Sequence, residues 1–171
     1  MTESAQQRPS ESRDRPVTGP APALALDSVV CFAIAGKLYA IDVAVVREVV
    51  SIDRLLPVPR TPAPIVGAFA LRGATVALVD TRILFGLDAA IPATTALIVV
   101  RGHRTVCGLT VDRVLGVARF VETRFTPAVR GREPPQIAGF MSDEAGGLLT
   151  VLDTSTILQS LENLRFWETH R

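Results

Sequence analysis

From Ser28 onward the apolar residues come in short runs broken by Gly, Pro and charged positions. Runs of that length bounded by turn residues predict strands more often than helices. "SVVCFAIAGKLYAID" predicts two strands around a Gly-Lys turn, and "GATVALVD" a buried strand between Gly73 and Asp80. "TALIVVRGHRTVCGLTVD" predicts a hairpin about Gly102, and "RVLGVARFV" a further strand. "VAVVREVV" suits a strand or a helical turn; Val43, Val46 and Val49 recur every three residues, which favours a helix start. "LLPVPRTPAPIVG" carries four prolines, which exclude a central strand or a helix interior and leave an extended connector. "TPAVRGREPPQIAGFMSDEAG" reads as a long loop with a short ordered middle. "GLLTVLD" is the last strand, and "TSTILQSLENLRFWE" spaces Ile157, Leu158, Leu161, Leu164 and Phe166 as an amphipathic helix. The pattern is that of a mainly β fold built from small barrels or sandwiches.

The pattern also repeats. "GATVALVDTRIL" and "GGLLTVLDTSTI" lie 73 residues apart, and "YAIDVAVVREV" lies over "CGLTVDRVLGV" at an offset of 68. Ile41 then falls on Leu109, Val43 on Val111, Val46 on Val114 and Val49 on Val117. The two offsets differ by five residues, an insertion that a loop accommodates at little entropic cost. Two related β units follow, the first about 28–90 and the second about 91–155, with a terminal helix about 154–168. Residues 1–27, with four of the twelve prolines among Ser, Glu, Gln and Arg, are too polar to join a core and read as a flexible tail.

Composition narrows the function. Of 171 residues, 48% are hydrophobic, ample for a core, and the net charge is only +1. So even a balance leaves no electrostatic footprint for nucleic acid or an anionic membrane. Aromatic residues make up 5%, too few for a base-stacking groove. No signal peptide and no apolar stretch of transmembrane length is present, which points to the cytoplasm. Cys31 and Cys107 sit in apolar runs without metal-ligand spacing and read as buried thiols.

Candidate chemistry is sparse. His103 and His170 have no acidic or ligating neighbour at useful spacing, carboxylates beyond the tail are mostly single, and no phosphate-cradling glycine loop occurs. The residues describe a binding or scaffolding module, with no metal or cofactor. Two barrels side by side offer a groove and two outer faces.

"PVPRTPAPIVGAFALRGATVALVDTR" resembles the signature of the CheW family of bacterial chemotaxis coupling proteins, through Pro57, Pro62, Ile65, Gly67, Leu71, Arg72, Gly73, Val76, Leu78, Val79 and Asp80. "YAIDVAVVREVV", "GLTVDRVLGV" and "AGGLLTVLDTSTIL" fit further family segments in the same order, so the resemblance covers about Ser28 to Leu161. The sequence departs from the family pattern at Ala70, where Asn would support the turn before Leu71, at Ala77 in place of Pro, and at Thr81 in place of Leu. The resemblance implies two small SH3-like five-stranded β-barrels around a shared apolar core. It also implies a non-enzymatic adaptor joining the cytoplasmic tip of chemoreceptors to the regulatory domain of a CheA-type histidine kinase.

On that resemblance the protein-binding candidates are Arg72, Glu48, Val46, Gly67, Val111 and Val114. Arg72 either shapes a partner contact or ties down carbonyl groups with its fork of donors. Glu48 either reaches a basic partner or is solvated beside Arg47. Val46, Val111 and Val114 either floor a groove for a receptor helix or belong to the core. Gly67 and Gly73 serve the backbone. Asp80 and Asp153 are expected to cap the turns that follow them. Two alternatives stand beside this reading: an adaptor of a non-flagellar chemosensory pathway (pilus, gliding or development), and a small-molecule-binding or hydrolytic β-barrel using His103.

Overall fold

The structure, a computed structural model, describes residues 26–51, 55–61, 63–87, 96–102, 105–121, 124–142 and 146–163. Eleven strands and two helices follow one another among these residues: β1 (Ser28–Ile34), β2 (Lys37–Asp42), β3 (Val46–Ser51), β4 (Ile65–Leu71), β5 (Ala74–Val79), α1 (Thr81–Leu84), β6 (Ala96–Arg101), β7 (Val106–Val111), β8 (Arg113–Arg119), β9 (Phe125–Pro127), β10 (Ile137–Ser142), β11 (Leu148–Leu152) and α2 (Thr154–Glu162).

Tight turns explain the hairpins. Ala35 and Gly36 between β1 and β2, and Arg72 and Gly73 between β4 and β5, all have positive φ. That backbone matches the right-handed twist of two-residue hairpins. The turn residues of the first hairpin are therefore Ala35 and Gly36, with Lys37 already in β2. Ala70 is paired with Thr75 inside β4, so the second turn closes at Arg72–Gly73 without the side chain expected to support it.

The strands form two sheets, ordered β8-β1-β2-β11-β10-β9 and β3-β6-β7-β5-β4. The expected mainly β pair of small SH3-like units is what the structure shows, with six strands in one sheet and five in the other. The sheets are interleaved along the chain rather than divided near residue 90. β1 and β2 join β8–β11, while β3–β7 form the other sheet. In each sheet one edge strand runs on into the chain that pairs at the opposite edge: β8 leads to β9 on β10, and β3 leads to Leu56, whose N–H and carbonyl bond Ala68 of β4 at 2.8 and 2.9 Å.

Interleaving accounts for the repeat. β2 lies parallel to β11 with Tyr39 opposite Thr150 and Ala40 opposite Val151. β7 lies parallel to β5 with Cys107 opposite Ala77 and Gly108 opposite Leu78. Shifted by 68 and 73 residues, the second set of pairs becomes the first. The edges agree too: Val46 faces Val100 and Val49 faces Ile98, as Val114 faces Phe32 and Val117 faces Val30. The two halves are thus related by an internal pseudo-two-fold, each lending strands to the other's sheet.

Alternation then sorts side chains into three cores, because successive residues of a strand face opposite ways. Val30, Phe32, Ile34, Tyr39 and Ile41 of one sheet meet Ile98, Val100, Cys107, Leu109 and Val111 of the other, closed by Ile157, Leu158 and Leu161 of α2. The in-between residues Val29, Ala40, Leu149 and Val151 pack inside the first unit, and Phe69, Val76, Leu78 and Val99 inside the second. The cluster shared by both units is the largest of the three, so neither unit's buried surface is complete alone.

Two further expectations change. Only Val43–Val45 forms a turn of 3-10 helix, and Val46–Ser51 is a strand with alternating exposure; its β-branched residues favour the pleated state. The presumed loop before the last strand contains β10, a full partner of β11. His103, His170, Leu164 and Phe166 lie outside the described residues, as does the part of the expected C-terminal helix beyond Asn163.

Candidate protein-binding site

Glu48 projects from edge strand β3, and Arg72 occupies the turn joining β4 to β5 at the other side of the same sheet. The Arg72 guanidinium donates from Nε to Glu48 Oε1 at 3.2 Å and from Nη2 to Oε2 at 3.1 Å. This fork-to-fork contact is the geometry that makes arginine selective for carboxylate. The hydrogen bond and the charge of Glu48 raise the Arg72 pKa still further. Arg47, the other neighbour considered for Glu48, comes only to 4.0 Å.

The Arg72 side chain is 73% exposed and the Glu48 side chain 19%. Arg72 also holds a φ of +48°, a region disfavoured for residues with a Cβ. A turn of this kind ordinarily takes Asn or Gly. The arginine there keeps one face open to solvent while Glu48 fixes its fork.

Val46 and Val114 are counterparts under the pseudo-two-fold, both half-buried and both packed against the shared core. Each begins an apolar slope on an edge strand that continues outward to an exposed residue, Val49 on β3 and Val117 on β8. Val111 does not belong with them. It is completely buried within the shared core, because it ends β7, a central strand with neighbours on both sides, and it has no surface to offer.

Gly67 serves the backbone, as expected. A Cβ there would stand 2.8 Å from both Leu55 Cδ1 and the Leu56 carbonyl oxygen, where the chain after β3 crosses β4. Its counterpart Gly139 meets the same obstacle from Phe125 and Thr126 of β9. Asp80 and Asp153 cap as expected, accepting from the backbone N–H of Arg82 at 2.8 Å and of Thr156 at 3.0 Å.

Sequence reasoning missed one buried pair beside this site. Arg82 of α1, its side chain 2% exposed, donates from Nη2 to Asp112 Oδ1. Asp112, between β7 and β8, also accepts from the Ala35 N–H at 2.8 Å. The pair fastens α1, the β7–β8 crossing and the β1–β2 turn together across the two units. A signal was present, since each charge interrupts an apolar run, but nothing in the sequence links the two. Thr81, a departure from the family pattern, is also buried; its N–H donates to Thr110 Oγ1 at 3.1 Å and its hydroxyl to the Thr110 carbonyl.

Burial pushes the Cys107 thiol up to about 12 and raises Cys31 as well. Neither is a ready nucleophile at neutral pH. Among the described residues no three His, Cys, Asp or Glu side chains gather into a metal-binding group, and no helix is long and apolar enough to cross a membrane.

Two interleaved β units around a shared core, with a surface ion pair and exposed apolar edge residues, have the architecture of a CheW-like scaffold domain. Residues 28–162 match the CheW-like domain, and the chain belongs to that family. It is 27% identical over 138 residues to the "Chemotaxis protein CheW" of Rhizobium meliloti (strain 1021), covering 80% of this chain and 85% of that one. It is 33% identical over 97 residues to the protein of the same description from Helicobacter pylori (strain ATCC 700392 / 26695), covering 56% and 59%. Among solved structures, the scaffolding protein TtCheW from Thermoanaerobacter tengcongensis superposes with a TM-score of 0.67 at 25% identity, over 75% of this chain and 89% of that one.

Proposed function

We propose that this chain is a non-enzymatic cytoplasmic adaptor that couples chemoreceptor tips to the regulatory domain of a CheA-type histidine kinase. The observation that carries the reading is the CheW-like match across residues 28–162, which takes in both β units. The site geometry supports it. Arg72, oriented by Glu48, supplies a fixed cation with bidentate donors to one partner. Val46 and Val114 supply apolar footing beside the shared core for the other, while Gly67 keeps the β4 bulge close enough for the turn to stand where it does. Val111 belongs to the shared core against which Val114 packs.

Coupling needs no reaction centre. It needs each partner's affinity to depend on the other's state, an effect of about 1–3 kcal/mol in typical allosteric systems. Two opposed edges allow simultaneous contacts, and individually weak ones add up in a multivalent array.

The test is co-sedimentation of the purified chain with receptor-bearing membranes and with the kinase regulatory domain from its own cell. Ternary sedimentation that falls on Arg72→Ala is the expected result. Failure to capture either partner at micromolar concentration overturns the proposal.

A further inference from the structure

The pseudo-two-fold makes β3 and β8 equivalent by position, but they differ in chemistry. Glu48 of β3 falls on Gly116 of β8, and Arg47 falls on Leu115. β3 therefore carries a carboxylate already held by Arg72, whereas β8 carries none. Leu115 and Val117 of β8 are 47% and 66% exposed. Arg113 and Arg119 stand exposed at its two ends with Arg124 just beyond, and none of the three makes an ion pair among the described residues. Between residues 113 and 132 the sequence holds five arginines against one carboxylate, Glu122. No described strand pairs with the outer edge of β8.

An unpaired strand edge presents a row of N–H and carbonyl groups that another strand satisfies fully and a helix does not. A second copy of this chain is a poor occupant. The antiparallel register centred on Gly116 sets Arg113 of each copy against Arg119 of the other, and like charges directly opposite one another are destabilising. We propose that the β8 edge binds an extended segment of a partner protein by strand addition, with an apolar centre over Leu115 and Val117 and a carboxylate at each end facing Arg113 and Arg119. The bulge between Cys31 and Phe32 leaves the residues opposite these arginines on β1, Ala33 and Ser28, five positions apart. The partner's two acidic residues share that spacing.

This inference rests on β8 alone and goes beyond the adaptor reading, so the two can fail separately. The probe is a fluorescein-labelled peptide with alternating valine and threonine between two glutamates five positions apart, compared with the same peptide carrying lysines at those ends. Fluorescence polarisation against the full chain is expected to show at least ~10-fold tighter binding of the acidic peptide at low salt, falling towards the lysine peptide's value as salt rises. Arg113→Glu with Arg119→Glu is expected to reverse the preference, and N-methylation of the acidic peptide's backbone to abolish binding. These exposed positions let the variant be checked for an unchanged thermal midpoint, and Arg113→Gln with Arg119→Gln, which removes the charge without reversing it, serves if the first variant does not fold. Equal affinity for both peptides overturns the proposal. So does a reversible dimer lost in the double variant, which assigns the edge to a second copy, or equal loss of binding to phosphatidylserine vesicles without peptide discrimination, which assigns it to an anionic surface. Co-sedimentation of the natural chain with receptor and kinase alongside such a failure would leave the adaptor reading standing.

Discussion

The guanidinium of Arg72 and the carboxylate of Glu48 lock together in two hydrogen bonds of 3.2 and 3.1 Å, joining the β4–β5 turn to edge strand β3. The contact breaks the molecule's internal symmetry, since the counterpart of Glu48 is Gly116 and no carboxylate stands there. A feature present in only one of two equivalent halves is one the fold itself does not require. Its backbone makes the same point: Arg72 adopts φ +48° next to Gly73, where a glycine would fit more easily.

Removing the side chain therefore separates stability from binding. Arg72→Gly is expected to keep the thermal midpoint within about 4 °C of the natural chain, because the Arg72 end of the ion pair is exposed and the turn relaxes, which offsets the lost partner of the mostly enclosed Glu48. Affinity for the kinase regulatory domain, measured by isothermal titration, is expected to fall at least ~10-fold, as loss of a bidentate charged contact implies. A large fall in midpoint with unchanged affinity would make Arg72 a structural residue only.

Exchanging the charges asks a sharper question. Glu48→Arg combined with Arg72→Glu retains an ion pair across the same gap but turns its exposed end negative. Circular dichroism should report a folded chain, and co-sedimentation with receptors and kinase should stay low. Recovery of both would mean that only the tie between β3 and the turn matters.

The buried Arg82–Asp112 pair carries the opposite expectation. With Arg82 almost fully enclosed and Asp112 also holding the Ala35 N–H, Asp112→Ala strands a buried cation. Breaking such a pair from one side costs about 3–5 kcal/mol, and a domain of this size loses roughly 2–4 °C per kcal/mol. Calorimetry should show a drop of about 6–20 °C. Replacing both residues, Arg82→Met with Asp112→Ala, should recover part of it, since no unpaired charge remains inside. A drop in the double variant equal to that in Asp112→Ala would deny the pair its role.

How far these features could be read beforehand depended on the kind of signal. Alternating valines and glycine-bounded runs exposed β1, β2, β5 to β8 and β11, whereas β3 read towards a helix start, β4 begins inside the expected proline-rich connector and β9 went unassigned. The offsets of 68 and 73 residues describe the register of both parallel pairs. Interleaving was not legible. Period-two patterning says which face of a strand is buried and is silent on which edge it pairs with, so units of consecutive residues looked natural. β10 was overlooked because Pro134, Pro135 and the surrounding charges dominate its approach, although "IVGAF" at Ile65 and "IAGFM" at Ile137 are counterparts in the two halves. The Arg72–Glu48 contact was half legible: both residues stood out, but a link between an edge strand and a distant turn is a product of three-dimensional closure. Val111 was placed at the surface with Val114, but only Val114 is partly exposed. They are three residues apart, and only the turn of the chain at Asp112 sends the first into a central strand and the second to an edge.

The twin glycines give a prediction that follows from the symmetry. Gly67 and Gly139 lie at bulges in β4 and β10, where a Cβ would strike the strand passing beneath. Overpacking of this kind typically costs about 1–3 kcal/mol. Gly67→Ala and Gly139→Ala should therefore each lower the urea midpoint by a similar amount, and the double variant by about their sum, because the sites lie in different sheets. Strong non-additivity would mean that the two units open together through their shared core.

Asp153 gives the expected acid response. Burial alone would raise its carboxyl pKa, but the Ser155 hydroxyl at 2.5 Å, the Thr156 N–H at 3.0 Å and the Thr156 hydroxyl at 2.8 Å all donate to it and hold it below the usual carboxylate range. A carboxyl whose folded pKa is depressed stabilises the fold above its unfolded pKa, near 3.9 for aspartate, and loses that contribution as pH falls through the unfolded value to the folded one. The Asp153→Asn variant keeps a capping side chain but has no charge to lose. Thermal midpoints measured from pH 7 to pH 3 should accordingly show the natural chain ahead near neutrality and the gap narrowing below about pH 4. A gap that stays constant across the series would mean that the α2 cap works through its shape, with ionisation of Asp153 irrelevant to stability.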